Sequence, residues 1–122
     1  MLKRAIQLST DVRQALLQKR AVVALESTII SHGMPFPQNM EMAREVEEII
    51  RQHDAVPATV AILSGQIHVG LTRDQLNHLA TIGPEATKCA TRDLGIAIEK
   101  RLDAATTVSS TMYVDKRHYH KR

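Results

Sequence analysis

Two apolar segments, the continuous run Ala21–Leu25 and Ala58–Leu63 with Thr59 its one polar residue, restrict this chain more than any other feature. Each is short, rich in β-branched residues and bounded by residues that break the pattern, the signature of a strand covered on both faces. Between them, from a cap at Asn39, Met42, Ala43, Val46, Ile49 and Ile50 fall on one helical face, while Glu41, Arg44, Glu45, Glu48 and Arg51 fill the others. Strand, amphipathic helix and strand in succession predict an α/β layered fold with a largely parallel sheet.

The flanking segments extend the alternation. Ser9, Thr10 and Asp11 precede Val12, Ala15 and Leu16, which predicts a short capped helix to about Lys19. Ser64-Gly65 offers a tight turn into Gln66–Val69, whose alternation marks a half-exposed hairpin partner. Thr72 and Gln75 form a capping box ahead of Leu76 and Leu79, and Gly83-Pro84 ends that helix. Ala86–Cys89 reads as a further short strand, and Thr91 as the cap of a helix through Leu94, Ala97 and Ile98. His32, Gly33, Pro35 and Pro37 make Ser27–Gln38 a long loop.

With 122 residues the chain has room for one domain, and the single Cys89 excludes an internal disulfide. The net charge of +3 is local: residues 1–114 hold twelve basic and twelve acidic side chains, so the excess lies in Lys116, Arg117, Lys121 and Arg122 against Asp115. Aromatic residues are 2%, too few to stack single-stranded bases, which argues against a specific nucleic-acid partner. No run is long enough for a membrane span, and the expected location is cytoplasmic. Lys3, Arg4, Arg13, Lys19 and Arg20 against Asp11 leave a mitochondrial presequence as the alternative to a structural helix.

Ligands of open α/β sheets bind beyond the carboxyl ends of the strands, which makes Glu26 the first candidate for chemistry. Partial burial of an acid there would favour the protonated form that a general acid needs; the competing reading is a strand-end carboxylate bonded to loop amides. Lys88 could meet an anionic substrate. Thr106, Thr107, Ser109, Ser110 and Thr111 form a hydroxyl-rich turn near a possible helix start. Cys89 has no activating base and reads as a packed residue. His32 is a loop histidine, and His53, His68 and His78 have no ligand spacing. His118 and His120 with Asp115 lie in a charged end.

Further residues carry a likeness that spacing could not supply. The run from Val22 to Asn39, with Glu26-Ser27-Thr28 and His32-Gly33-Met34-Pro35-Phe36-Pro37 inside it, resembles the N-terminal signature of pseudouridine-5′-phosphate glycosidases, also called pseudouridylate synthases. Ala55-Val56-Pro57-Ala58-Thr59, Val69-Gly70-Leu71, Thr87-Lys88, Arg92-Asp93 and Ala105-Thr106-Thr107-Val108 follow in the family's order. The resemblance covers roughly residues 9–112. It divides the chain into a family-like part, 1–112, and a basic non-family tail, 113–122.

The resemblance implies an α/β/α fold, a homotrimer, a divalent metal, usually manganese, and reversible cleavage of pseudouridine 5′-phosphate into uracil and ribose 5-phosphate. The bond is carbon to carbon, so protonating an oxygen or nitrogen leaving group does not serve. A lysine amine instead attacks the anomeric carbon, the sugar ring opens, and an acid protonates the departing ring carbon. By resemblance Glu26 is that proton donor, and Lys88 and Val108 match substrate-contacting positions. Two departures stand out. Ala90-Thr91-Arg92-Asp93 replaces Ser-Arg-Arg-Asp, and Asp103-Ala104 replaces Asn-Gly, changes expected to weaken phosphate binding. The Gly-rich segment, the metal-binding stretch and the Schiff-base lysine belong to the part of the family beyond the matched region. The short chain alone is therefore expected to be inactive or nearly so, as an abbreviated enzyme or as a non-catalytic form that joins full-length subunits.

Overall fold

The computed structural model describes residues 6–119, with side chains to residue 116. In chain order the elements are β1 (Ile6–Leu8), α1 (Thr10–Leu17), β2 (Ala21–Leu25), a π-type turn (Ile29–Gly33), α2 (Gln38–Gln52), β3 (Ala55–Leu63) and β4 (Gln66–Val69). They continue with α3 (Arg73–Ile82), β5 (Thr87–Cys89), α4 (Leu94–Glu99), β6 (Ala104–Thr106) and α5 (Val108–Tyr119); short 3-10 turns precede β5 and α4. No helix among the described residues is long and apolar enough to cross a membrane.

β3 is the hub of the sheet. Its first half pairs with β2, parallel, from Ala21 opposite Ala55 to Leu25 opposite Thr59. Its second half pairs antiparallel with β4 on one side and, at Ala61 and Ile62, with β6 on the other. Parallel pairings of β1 with β4 and β5 with β6 complete a sheet in which three of five pairings are parallel. Alternation along β3 builds two cores. Val56, Ala58, Val60 and Ile62 meet Val12 and Ala15 of α1, Leu94 and Ala97 of α4 and Val114 of α5. Ala61 meets Met40 and Ala43 of α2 and Leu76, Leu79 and Ala80 of α3. Helices thus cover both faces, the α/β/α arrangement.

Several local expectations are corrected. Ala21–Leu25 is not buried on both faces: Val23 keeps 38% exposure, because β2 has β3 on one side and, among the described residues, no strand on the other. An apolar edge strand and an apolar central strand read alike in sequence. β3 starts at Ala55 and includes Pro57, tolerated where β4, which begins pairing at Val60, does not reach and no ladder bond on that side is lost. The cap position at this helix start is Ala90 rather than Thr91, and the Ala90 N–H donates to Asp93 Oδ2 at 3.0 Å. β1 and β6, three residues each, are too short for periodicity to reveal. The division expected at 112/113 falls inside α5, and Val114 beyond it is fully buried. The N-terminal cations flank a helix that gives Val12 and Ala15 to the core, as a structural element would; Lys3 and Arg4 lie outside the described residues.

Helix α2 is the largest correction. Asn39 lies in the first turn rather than capping it, and is fully buried: its Nδ2 donates to Ile30 O and Ala80 O, both at 2.9 Å, tying the post-β2 turn to α3. The face on the sheet is also rotated. Ile49 is 48% exposed while Glu47 is buried, its carboxylate accepting from Thr59 Oγ1 at 2.7 Å and from Arg51 at 3.3 Å. Small β3 residues let α2 approach closely, and a hydroxyl among them makes an acceptor the better partner there.

Two contacts generate tests. Gly70 has φ +91°, and a Cβ there would fall on Ser9 Oγ and 2.8 Å from Val12 Cγ2. Gly70→Ala should cost about 2 kcal/mol in urea denaturation, because positive φ and a packed neighbour act together. Asp103 holds the β3–β4 hairpin to α3, accepting from Ser64 N–H at 2.8 Å and facing His78 Nε2 at 2.9 Å. Burial works to raise its carboxyl, but the bonds from His78 and Ser64 and the imidazole's charge prevail, leaving it below the ordinary Asp value. A depressed native value contributes stability above the unfolded value near 4, lost as pH falls through the native value. Thermal unfolding from about pH 5 downward should therefore show a smaller loss in Asp103→Asn than in the parent.

Candidate functional site

Strands β2 and β6 run toward each other along the same side of β3 and meet end to end near its middle. Leu25 is the last β2 residue paired with β3, opposite Thr59, and β6 pairs at Ala61. A reciprocal bond closes the junction: Ser27 N–H donates to Thr106 O at 3.0 Å, and Thr106 N–H donates to Ser27 Oγ at 2.8 Å. β5 lies beside β6 in parallel, with Cys89 opposite Thr106, and Thr107 N–H donates to Cys89 O at 3.1 Å. The carboxyl ends of three strands thus converge where α5 begins.

Glu26 occupies this junction, one residue before the clasp. It is half-buried; one carboxylate oxygen accepts from Thr28 Oγ1 and the other from Ile29 N–H at 3.2 Å. The loop-amide bonding weighed from sequence is present, and it anchors the acid at the head of the π-type turn. Lys88 lies on β5 opposite Ala105, exposed, with no hydrogen bond or ion pair among the described residues. Val108 opens α5 and is 60% exposed. The three candidates come from the three converging strand ends.

Among the hydroxyls, Ser109 Oγ accepts from Thr91 Oγ1 at 3.5 Å and lies 3.1 Å from Thr107 Oγ1 at the head of α5. Ser110 turns inward and donates to Cys89 O at 2.7 Å. The Asp103 substitution lies at the opposite end of β6 from this cluster, where it serves the hairpin. Ala104 is a buried β6 residue paired with Ile62 and Thr87.

The remaining sequence candidates stay outside. His32 is exposed, its Nδ1 2.7 Å from Ser31 Oγ; His53 faces Ile49 O at 2.9 Å; His68 is half-buried, and burial lowers its pKa. The side chains of His118 and His120 lie outside the described residues. No group of three His, Cys, Asp or Glu among the described residues could hold a metal ion. A groove of about 680 Å³ lies along α2 and the start of α3, lined by Glu41, Arg44, Glu47, Arg51, Arg73 and Leu76. It does not include Glu26, Lys88 or Val108. Sequence reasoning missed Ser27 as a site residue; its partner Thr106 lies 79 positions away, and no local pattern links them.

Comparison with known proteins gives a consistent picture. The family described as indigoidine synthase A like protein matches residues 11–118. Pseudouridine-5′-phosphate glycosidase of Clostridium botulinum is 52% identical over 114 residues, 93% of this chain and 37% of the relative. That of Arabidopsis thaliana is 49% identical over 112 residues, 92% of this chain and 34% of the relative. The chain therefore spans about a third of the length of these curated relatives. Among solved structures, an indigoidine synthase A-like protein of Thermotoga maritima overlays with a TM-score of 0.79 at 30% identity, covering 92% of this chain and 36% of that one. The prealnumycin C-glycosynthase AlnA, in complex with ribulose 5-phosphate, overlays with a TM-score of 0.79 at 34% identity, covering 92% of this chain and 35% of that one.

Cys89 is fully buried beside this junction, and burial with the Asp93 charge pushes its thiol up to about 11. Native protein should therefore react with iodoacetamide at neutral pH at least about a hundredfold more slowly than free cysteine, and at the ordinary rate once unfolded.

Proposed function

This chain belongs to the family of indigoidine synthase A like proteins, and we propose that it carries the proton-donor part of a C-glycosidase site for pseudouridine 5′-phosphate. The observation that carries the proposal is the placement of Glu26: in the stretch the glycosidase relatives share, at a convergence of strand ends that also carries Lys88 on β5 and Val108 at the start of α5. A carbon leaving group sets the requirement. As the bond between sugar and base breaks, its electron pair stays with the uracil ring carbon, which takes a proton from Glu26 and leaves a carboxylate behind. Lys88, exposed and with no side-chain partner among the described residues, supplies a cation for the phosphorylated sugar, and Val108 lines the contact at the head of α5.

In this reading the amine that attacks the sugar falls to the part of the relatives that this chain does not match. Manganese is likewise not assigned here: the described residues offer no ligand cluster, and no step is routed through it. In this reading, as the family resemblance implies, the activity is that of a cytoplasmic homotrimer. A second reading, association with a longer subunit of the same family, is favoured by the strand edge of β2 and by exposed Val23, Ile29, Met34, Phe36 and Met112. Exposed apolar side chains beside an open edge are what a missing neighbour would cover.

The test is uracil release from pseudouridine 5′-phosphate. The chain alone should release none above background. Co-expressed with the remaining two thirds of a related glycosidase, it should co-purify and release uracil, with Glu26→Gln lowering kcat by about 10²-fold or more. Unchanged turnover in Glu26→Gln would remove Glu26 from the chemistry, and turnover by the chain alone would show that no further segment is needed.

A further inference from the structure

We propose that Thr106 is a positioning residue for Glu26, acting through Ser27 across the β2–β6 junction. The inference rests on the proton-donor reading above and adds to it how the acid is held.

The bonding at Thr106 leaves no freedom. Its Oγ1 lies 2.8 Å from Val60 O, 2.8 Å from Thr111 Oγ1 and 3.3 Å from Ser27 Oγ. A carbonyl only accepts, so the single Thr106 hydroxyl proton goes to Val60 O. The two lone pairs of Oγ1 then receive the protons of Thr111 and Ser27. Ser27 Oγ, having given its proton to Thr106 Oγ1, accepts from Thr106 N–H at 2.8 Å, and Ser27 N–H donates to Thr106 O at 3.0 Å. Ser27 and Thr106 are fully buried and Thr111 is 5% exposed, so water does not compete for these bonds.

The consequence for Glu26 is geometric. Leu25 is the last residue of β2 held by β3, and Ser27 is held by Thr106, so the Glu26 backbone is fixed from both sides. Ser27 O in turn accepts from Ile30 N–H at 3.0 Å, which sets the turn whose Ile29 N–H meets the Glu26 carboxylate. Removing the Thr106 hydroxyl leaves Val60 O, Thr111 and the Ser27 hydroxyl without that partner, so that the start of the turn is held only by the two backbone groups of Thr106. A methyl in its place keeps the volume and loses the bonds.

The experiment uses the chain itself, by NMR, so that it does not depend on turnover. The Ile29 amide proton shift is followed against pH in the parent and in Glu26→Gln, and the part of the change that Glu26→Gln loses is the step assigned to the Glu26 carboxyl. Thr106→Val should shrink the step by about half or more as the bond lengthens, while the amides of Leu76 and Leu79 in α3 stay unmoved; Thr106→Ser should restore it. Ser27→Ala, which removes the hydroxyl link from the β2 side together with the acceptor of Thr106 N–H, should produce a loss at least as large and serves if Thr106→Val does not fold. An unchanged Ile29 step in either variant, or equal displacement of the α3 amides, would overturn the proposal. In the co-expressed enzyme, Thr106→Val should lower kcat by about tenfold with KM held, and Thr106→Ser should recover it. If Glu26→Gln keeps full turnover while the Ile29 step still follows Thr106, the proton-donor reading fails and the positioning of the side chain stands.

Discussion

The rest of the fold depends on one strand serving neighbours of opposite direction along a single side. β3 takes β2 in parallel along its first five residues and β6 antiparallel near its other end, so two chain ends meet head-on against its middle. An ordinary ladder cannot bridge such a junction, because neither strand continues past the other. The backbone groups left over must find partners elsewhere when buried. Here they do so through Ser27 and Thr106, which exchange backbone and hydroxyl bonds in both directions. Glu26 therefore emerges where regular pairing ends and a specific side-chain arrangement takes over.

The same logic explains the second buried polar contact. α2 lies over small residues of β3, and the hydroxyl of Thr59 faces it. An apolar residue opposite would strand that hydroxyl, whereas Glu47 accepts from it and is steadied by Arg51. The helix turns accordingly, moving Ile49 outward. Asn39 acts about two turns earlier, joining Ile30 and Ala80 through one amide. Both polar groups lock the helix in register between the sheet and α3, which holds the segment after β2 in place behind the candidate acid.

Legibility followed the range of the interactions. The Thr72–Gln75 capping box and the Ser64-Gly65 hairpin turn depend on residues within a few positions and are where the sequence places them, and the cap expected among Ser9, Thr10 and Asp11 is Ser9. Glu26 was found because it ends an apolar run, a local signal. Lys88 is legible only as a cation at a short strand, and its substrate-contacting role, like Val108 altogether, comes from the resemblance; periodicity says nothing about an exposed lysine on a three-residue strand. β6 itself was invisible, although it carries half of the junction.

By itself the amino-acid sequence determined the alternation of strands and helices, the caps and turns, the packed and unreactive Cys89, and an acid at a strand end within a family-like stretch. Those features arise from spacing, backbone preference and hydrophobic burial among near neighbours. Only the tertiary structure decided that β2 is an edge, that Glu47 rather than Ile49 faces the sheet, and that Ser27 meets Thr106. Each of these depends on which surface a distant segment presents. That is a property of the assembled sheet, which no local run of residues encodes.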